Sequence, residues 1–218
     1  MTARLLRVFE SLLQQYGPLH WWPADSPFEV VIGAILTQNT AWSNVEKAIA
    51  NLRRENCLTP ARLRQTTRKQ LEEWIRPAGF FRQKAERLQL FADYLGTQHQ
   101  DDLAAMLKGP LPEVRRRLLA MKGVGPETAD SILLYAADRP SFVIDAYTRR
   151  LFGRLQLLDS AAPYEQIRSQ FMDRLPADSD LFNEYHALIV EHCKRHCRKR
   201  QPRCGDCCLG RDCPNAER

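Results

Sequence analysis

Thirteen prolines divide the 218-residue chain into short lengths, and none of those lengths alternates apolar and polar residues with the period of a strand. Proline cannot continue a helix, so Pro18, Pro23, Pro27, Pro60, Pro77, Pro110, Pro112, Pro126, Pro140, Pro163, Pro176, Pro202 and Pro214 read mostly as helix boundaries. Between them apolar side chains recur at helical spacing, as in Leu5, Val8, Phe9, Leu12 and Leu13, and again in Val45, Ala48, Ile49 and Leu52. The expected architecture is all-α, a bundle of many short helices. With 44% hydrophobic residues and only 10 glycines, the chain has material for a substantial core, which excludes disordered and collagen-like classes.

The longest apolar run, Val30 to Leu36, is too short to span a bilayer. Arg4, Arg7 and Glu10 interrupt the N-terminal region where a secretory signal needs an apolar stretch. A cytoplasmic location and no membrane partner are expected. The 32 Lys and Arg against 26 Asp and Glu leave a formal charge of +6, which favours an anionic partner without identifying one.

Six of the seven cysteines lie between Cys193 and Cys213, among a dense set of Arg and Lys. An odd cysteine total in a cytoplasmic chain argues for metal rather than disulfides. Cys197, Cys204, Cys207 and Cys213 form a four-thiolate set, with Pro202, Gly205 and Gly210 supplying the loop around it. Such a set suits a [4Fe-4S] cluster or a tetrahedral zinc, and spacing alone does not choose. Cys193 and Cys208 are surplus, so His192, Cys193, His196 and Cys197 also offer mixed zinc ligands on one helix. Cys57 reads as a small buried apolar residue.

A second constellation, VRRRLLAMKGVGPETADSILL, runs from Val114 to Leu134. Val114, Leu118 and Leu119 give one helix an apolar face, and Ala129, Ile132, Leu133 and Ala136 give one to the next. The turn between them holds Lys122, Gly123, Val124 and Gly125. Glycines there let backbone N–H groups approach a ligand, and the following helix start favours an anion. Arg115, Arg116, Arg117 and Lys122 beside the turn make a nucleic-acid backbone the natural anion. Asp145 precedes a further helical stretch, AYTRRLFGRL; its simplest role is an N-cap.

Together, GVGPETAD, VIDAYTRRL and the four-cysteine spacing resemble the helix-hairpin-helix DNA glycosylases of the endonuclease III superfamily, over nearly the whole chain. The resemblance implies a two-lobed fold: residues 27–138 as a six-helix domain, and residues 1–26 with 139–218 as a second lobe carrying an iron–sulfur loop at about 193–213. It selects [4Fe-4S] over zinc for Cys197, Cys204, Cys207 and Cys213. It also implies Asp145 as the catalytic carboxylate, Lys122, Gly123, Val124 and Gly125 at the DNA backbone, and Gln38 as the residue that fills the gap left by an everted base. Gln38 and Trp42, four residues apart, are expected on one helical face. Relatives that also cut the strand carry a lysine where Glu127 stands, and a carboxylate cannot form the required imine. A glycosylase without efficient lyase activity is therefore expected.

The segment WWPADSPFEVVIGAILTQNTAW resembles the 3-methyladenine subgroup, in which a Trp-Trp-Pro segment and a later aromatic line the base pocket; Trp21, Trp22, Pro23 and Trp42 match those positions. On residue physics alone the paired tryptophans read as packing anchors. Some members of that subgroup place a functional lysine where Leu188 stands here. The expected substrate is double-stranded DNA bearing an alkylated purine, acted on by a monomer. Competing readings are a glycosylase for uracil, mismatched thymine or oxidised pyrimidine, and a non-catalytic DNA-binding iron–sulfur protein. Because the chain ends at the cysteine loop, the additional recognition domain of an adenine-mismatch enzyme is not expected.

Overall fold

Side-chain caps start many of the helices. In the computed structural model, which describes residues 2–22 and 24–216, Ser26, Thr59, Thr67, Asp102, Asp145 and Asp178 each accept a hydrogen bond from a backbone N–H one turn on. Such caps satisfy amides that have no partner within the helix. The helices are α1 (Thr2–Tyr16), α2 (Pro27–Leu36), α3 (Trp42–Arg54), α4 (Pro60–Gln65), α5 (Arg68–Trp74), α6 (Phe81–His99), α7 (Leu103–Met106), α8 (Leu111–Leu119), α9 (Pro126–Ser131), α10 (Ala146–Arg154), α11 (Tyr164–Met172) and α12 (Ser179–Arg195). A 3₁₀ turn spans Arg76–Ala78, and a π-helical segment, Ile132–Ala136, continues α9. Among the described residues no strand is present, as the proline spacing predicts.

The chain forms two compact units. One is Trp22–Ala137; the other joins Met1–Trp21 to Asp138–Arg218. In the Trp22–Ala137 unit the axis is α2, nine of whose ten residues are buried. A helix apolar on every side must be covered on every side. Val45, Ala48, Ile49 and Leu52 of α3, Leu88, Phe91 and Leu95 of α6, and Ala129, Ile132 and Leu133 after the hairpin belong to the same core. Each fully buried Leu, Ile, Val or Phe contributes about 1.5–3 kcal/mol.

The other unit is built around aromatic rings. Phe142 stacks on Phe171 at 4.2 Å, and Phe152 meets Phe171 edge-on at 4.9 Å. Tyr185 packs against Phe9 and donates its hydroxyl hydrogen to the Leu5 carbonyl at 2.7 Å, tying α12 to α1.

Polar groups buried with α2 are matched individually. Glu29 accepts from Arg53 at 2.8 Å. Lys84, 1% exposed, donates to the carbonyls of Leu36 at 2.9 Å and Ala78 at 2.7 Å. Burial, with help from Arg87, pushes the Lys84 pKa down to about 8. As pH rises the native state therefore loses this proton before the unfolded chain does, and the Lys84 contribution to stability grows between about pH 8 and the ordinary lysine value near 10.4. Lys84→Met strands both carbonyls and removes that slope: denaturant unfolding at neutral pH is expected to show a loss of about 1–3 kcal/mol.

Candidate functional site

Asp145 stands at the N-cap of α10 with extended backbone, φ −98° and ψ −176°. Its Oδ1 accepts the Thr148 N–H at 2.7 Å, and its Oδ2 lies 3.5 Å from Nε2 of His186. The capping geometry expected of this residue is present, and its side chain remains 14% exposed. Burial pushes the carboxyl pKa up, but His186 and the Thr148 hydrogen bonds outweigh it, so the net shift is downward from the ordinary aspartate value. Asp145 is an anion at neutral pH.

His186 has no counterpart among the residues singled out from sequence. It is 5% exposed on α12, and its ring lies nearly parallel to Trp21, centroids 6.0 Å apart and planes 28° apart. Glu184 on the same helix accepts from the N–H groups of Leu19 at 2.6 Å and His20 at 3.1 Å, which fixes the approach to Trp21. Leu188, one turn of pattern away, is fully buried.

In the Trp22–Ala137 unit, Trp22 meets Trp42 edge-on at 4.8 Å and Tyr135 at 4.9 Å. Close approach of Trp22 to α2 depends on Gly33, where a Cβ would come within 3.0 Å of the indole. The π-helical winding of Ile132–Ala136 turns Tyr135 onto Trp22; a π turn shifts the register of the residues after it. Pro23 lies outside the described residues.

Gln38 does not share a helix with Trp42. α2 ends at Leu36, Asn39 takes a left-handed φ of 54°, and α3 begins at Trp42, so the expected common face is replaced by a turn. From that turn the Gln38 amide donates to the Gly123 carbonyl and the Thr128 hydroxyl, both at 2.9 Å, and its carbonyl oxygen accepts from Arg87. Gln38 therefore sits against the hairpin.

The hairpin turn is held by Gly123, at φ +85°. Val124 uses its N–H on the Met121 carbonyl at 3.1 Å and its side chain in the core. Gly125 is the N-cap of α9 with open space beside it, and Glu127 is exposed in the first turn. The neighbouring cations are not the uniform basic face that the sequence suggests. Arg115 makes a bidentate pair with buried Asp130 at 2.8 and 2.9 Å, and Arg117 donates to the Met106 carbonyl, because both point inward from α8. Lys122, 71% exposed, pairs with Glu86 at 2.5 Å, and Arg116 is exposed.

Cys197, Cys204, Cys207 and Cys213 line one small cavity after α12. Arg154 donates to the Cys197 sulfur at 3.3 Å, and His192 Nε2 lies 3.5 Å from the Cys207 sulfur. Hydrogen bonding from Cys193, with Arg154 in support, lowers the Cys197 pKa, whereas burial raises Cys207 to about 11. Gly210 seats the loop: a Cβ there would lie 3.0 Å from the Cys204 carbonyl and 3.1 Å from that of Cys207. Within the mixed His–Cys set, one nitrogen of each imidazole and the Cys193 thiol have protein partners. Tyr16 bonds Nδ1 of His192 at 2.9 Å and Nδ1 of His196 at 2.7 Å, and Cys193 is directed at the Tyr147 carbonyl. Among the described residues no group of three or more His, Cys, Asp or Glu converges as the ligands of a single ion would. Four soft thiols around one cavity fit a tetrahedral zinc or an iron–sulfur cluster.

Residues 32–177 match the family model described as the HhH-GPD superfamily of base excision DNA repair proteins. A Methanocaldococcus jannaschii protein, MJ1434, whose name assigns it provisionally to the DNA repair glycosylases, is 46% identical over 211 residues, 96% of this chain and 95% of its own. Among solved structures, a non-covalent endonuclease III–DNA complex superposes with a TM-score of 0.85 at 21% identity, covering 99% of this chain and 96% of that one. The H. pylori 3-methyladenine DNA glycosylase MagIII bound to 1,N6-ethenoadenine superposes with a TM-score of 0.76 at 27% identity, covering 88% and 97%.

The two hairpin glycines differ in what they demand. Gly123→Ala meets both the left-handed backbone and the Arg87 side chain, which a Cβ would approach to 2.4 Å, whereas Gly125 has neither constraint. Chemical denaturation is expected to show a loss of about 1–2 kcal/mol for Gly123→Ala and little change for Gly125→Ala.

Proposed function

This chain belongs to the HhH-GPD superfamily of base excision DNA repair proteins, as a DNA glycosylase, and we propose that its substrates are alkylated purines of the 3-methyladenine type in double-stranded DNA. The observation that carries the catalytic part is Asp145, an anion held at a helix N-terminus and still 14% exposed. The likeness to a 3-methyladenine glycosylase over 88% of the chain and the aromatic rings of Trp21, Trp22 and Trp42 support the choice of base.

The chemistry follows from charge. A base inside a duplex is unreachable, so the nucleotide first leaves the stack. An alkylated purine is cationic, and aromatic faces attract it by stacking and by cation–π interaction. Its bond to C1′ breaks with the electron pair going to the base, which departs neutral. Asp145 stabilises the positive sugar left behind, then orients a water whose oxygen bonds to C1′ and whose proton passes to the carboxylate or to solvent. Gln38, bonded to the hairpin turn, is suited to fill the vacated place in the stack, and Lys122, Gly123, Val124 and Gly125 to meet the phosphates.

Glu127 stands at the position of the lysine in strand-cleaving relatives. A carboxylate cannot attack the sugar as an amine does, and Lys122 is paired with Glu86. The reading is therefore of hydrolysis without efficient strand cleavage. Cys197, Cys204, Cys207 and Cys213 would hold a [4Fe-4S] cluster, which when bound supplies a rigid cross-link for the loop that follows α12.

Incubation with methylated duplex DNA is expected to free 3-methyladenine, read by chromatography of the released bases. Asp145→Asn is expected to lose about 10²–10⁴ of that rate with DNA affinity retained, and borohydride is expected to trap no covalent complex. Release of uracil, thymine or oxidised pyrimidines instead, or efficient trapping, overturns the proposal. For the cluster, about four irons with matching sulfide per chain are expected in the purified protein, and stripping them is expected to lower its melting temperature. Stoichiometric zinc without iron refutes that assignment.

A further inference from the structure

We propose that His186 is a positioning residue for Asp145, fixing the direction in which the carboxylate presents its second oxygen. The inference rests on the reading of Asp145 as the carboxylate that stabilises the sugar cation. Nothing local in sequence links the two positions; the fold brings α12 against the start of α10.

The geometry constrains the carboxylate from two sides. Oδ1 is held at the α10 N-terminus by the Thr148 N–H at 2.7 Å, which leaves rotation about the bond to Cβ as the remaining freedom of the group. His186 Nε2, 3.5 Å from Oδ2, limits that rotation. At this separation the contact is longer than a charge-assisted hydrogen bond of about 2.7–2.9 Å, so Oδ2 keeps lone-pair capacity for a water or a sugar cation. His186 cannot itself turn away: its ring is buried, with the Trp21 indole lying nearly parallel to it. Trp21 is in turn held by Glu184, which takes the N–H groups of Leu19 and His20. One helix, α12, thus supplies both the group that orients Asp145 and the group that anchors the segment backing it.

Electrostatics act in the same direction. Besides His186, the titratable groups facing Asp145 are Cys193 of α12 and Tyr147 of α10, and the Asp145 charge raises the pKa of each. Against the burial of Asp145 stand His186 and the hydrogen bonds of Thr148, and of these His186 has the larger effect.

Two substitutions separate orientation from packing. His186→Phe keeps an aromatic ring beside Trp21 and removes the nitrogen; His186→Gln keeps an N–H donor in similar space. In carboxyl NMR titrations, His186→Phe is expected to raise the Asp145 midpoint by about one pH unit, with His186→Gln in between. In single-turnover base release, the acid limb of the pH profile is expected to move upward by the same amount. At neutral pH the Phe variant is expected to be about tenfold slower with unchanged DNA affinity, and the Gln variant to recover part of that loss. A merely structural role would lower the melting temperature and leave the titration midpoint where it is. Wild-type midpoint and wild-type rate in either folded variant overturn the inference. If the Phe variant does not fold, the Gln midpoint alone decides it. If the wild type frees no methylated base, the proposed substrate fails while the titration still decides the role of His186.

Discussion

A ten-residue helix without a solvent face sets the terms for the Trp22–Ala137 unit. α2 buries nine of its residues, so its neighbours must enclose it, and its polar groups need partners drawn from elsewhere in the chain. Ser26 closes its first turn, Arg53 neutralises Glu29, and Lys84 reaches its last carbonyl. The chain that leaves the far end cannot continue as helix in the same direction, and Asn39 turns it. That turn delivers Gln38 to the hairpin and starts α3 at Trp42, beside Trp22. Two features with proposed roles toward DNA thus follow from the termination of one apolar helix.

In Asp145 a structural role and the proposed chemical one share an atom set. Capping needs an oxygen at the helix start, and stabilising a cation needs a negative charge with access to it. The N-cap supplies both, because the helix end favours the ionised carboxylate. The α12 partner adds direction. Removing a proton from the repertoire of this group at neutral pH suits the proposed leaving base, which carries its own positive charge, since no strong general acid is then required.

Much of the fold was legible because helix starts are written locally: Ser26 before Pro27, Thr59 before Pro60 and Asp145 before Ala146 are short-range signals. The hairpin was legible for the same reason, since Gly123 alone relieves a left-handed backbone. What escaped depends on long-range pairing. His186 looks like an ordinary polar residue on an amphipathic helix until α12 is packed on α10. Arg115 looks like part of a basic stripe until Asp130, fifteen residues on, claims it from within the fold. The shared face expected for Gln38 and Trp42 failed because four residues of separation imply a face only where the helix is unbroken. The gathering of Cys197, Cys204, Cys207 and Cys213 around one cavity was legible from their closeness in sequence, whereas the bonding of Nδ1 of His192 and His196 to Tyr16 requires α1 to be in place.

The π-helical segment after the hairpin carries a consequence for chain length. Each residue of an α-helix advances about 100° around the axis, so a π turn absorbs one extra residue in winding rather than in rise. Between Glu127 and Asp145, therefore, the count of amino acids overstates the distance travelled. Deleting a single residue within Ile132–Leu134 would shift the register of Tyr135 by about 100° and carry it away from Trp22, while leaving the helix nearly as long as before. A change of one codon's length would thus rotate the aromatic wall of this unit together with the core positions Ile132 and Leu133, because one stretch of winding sets the register of both.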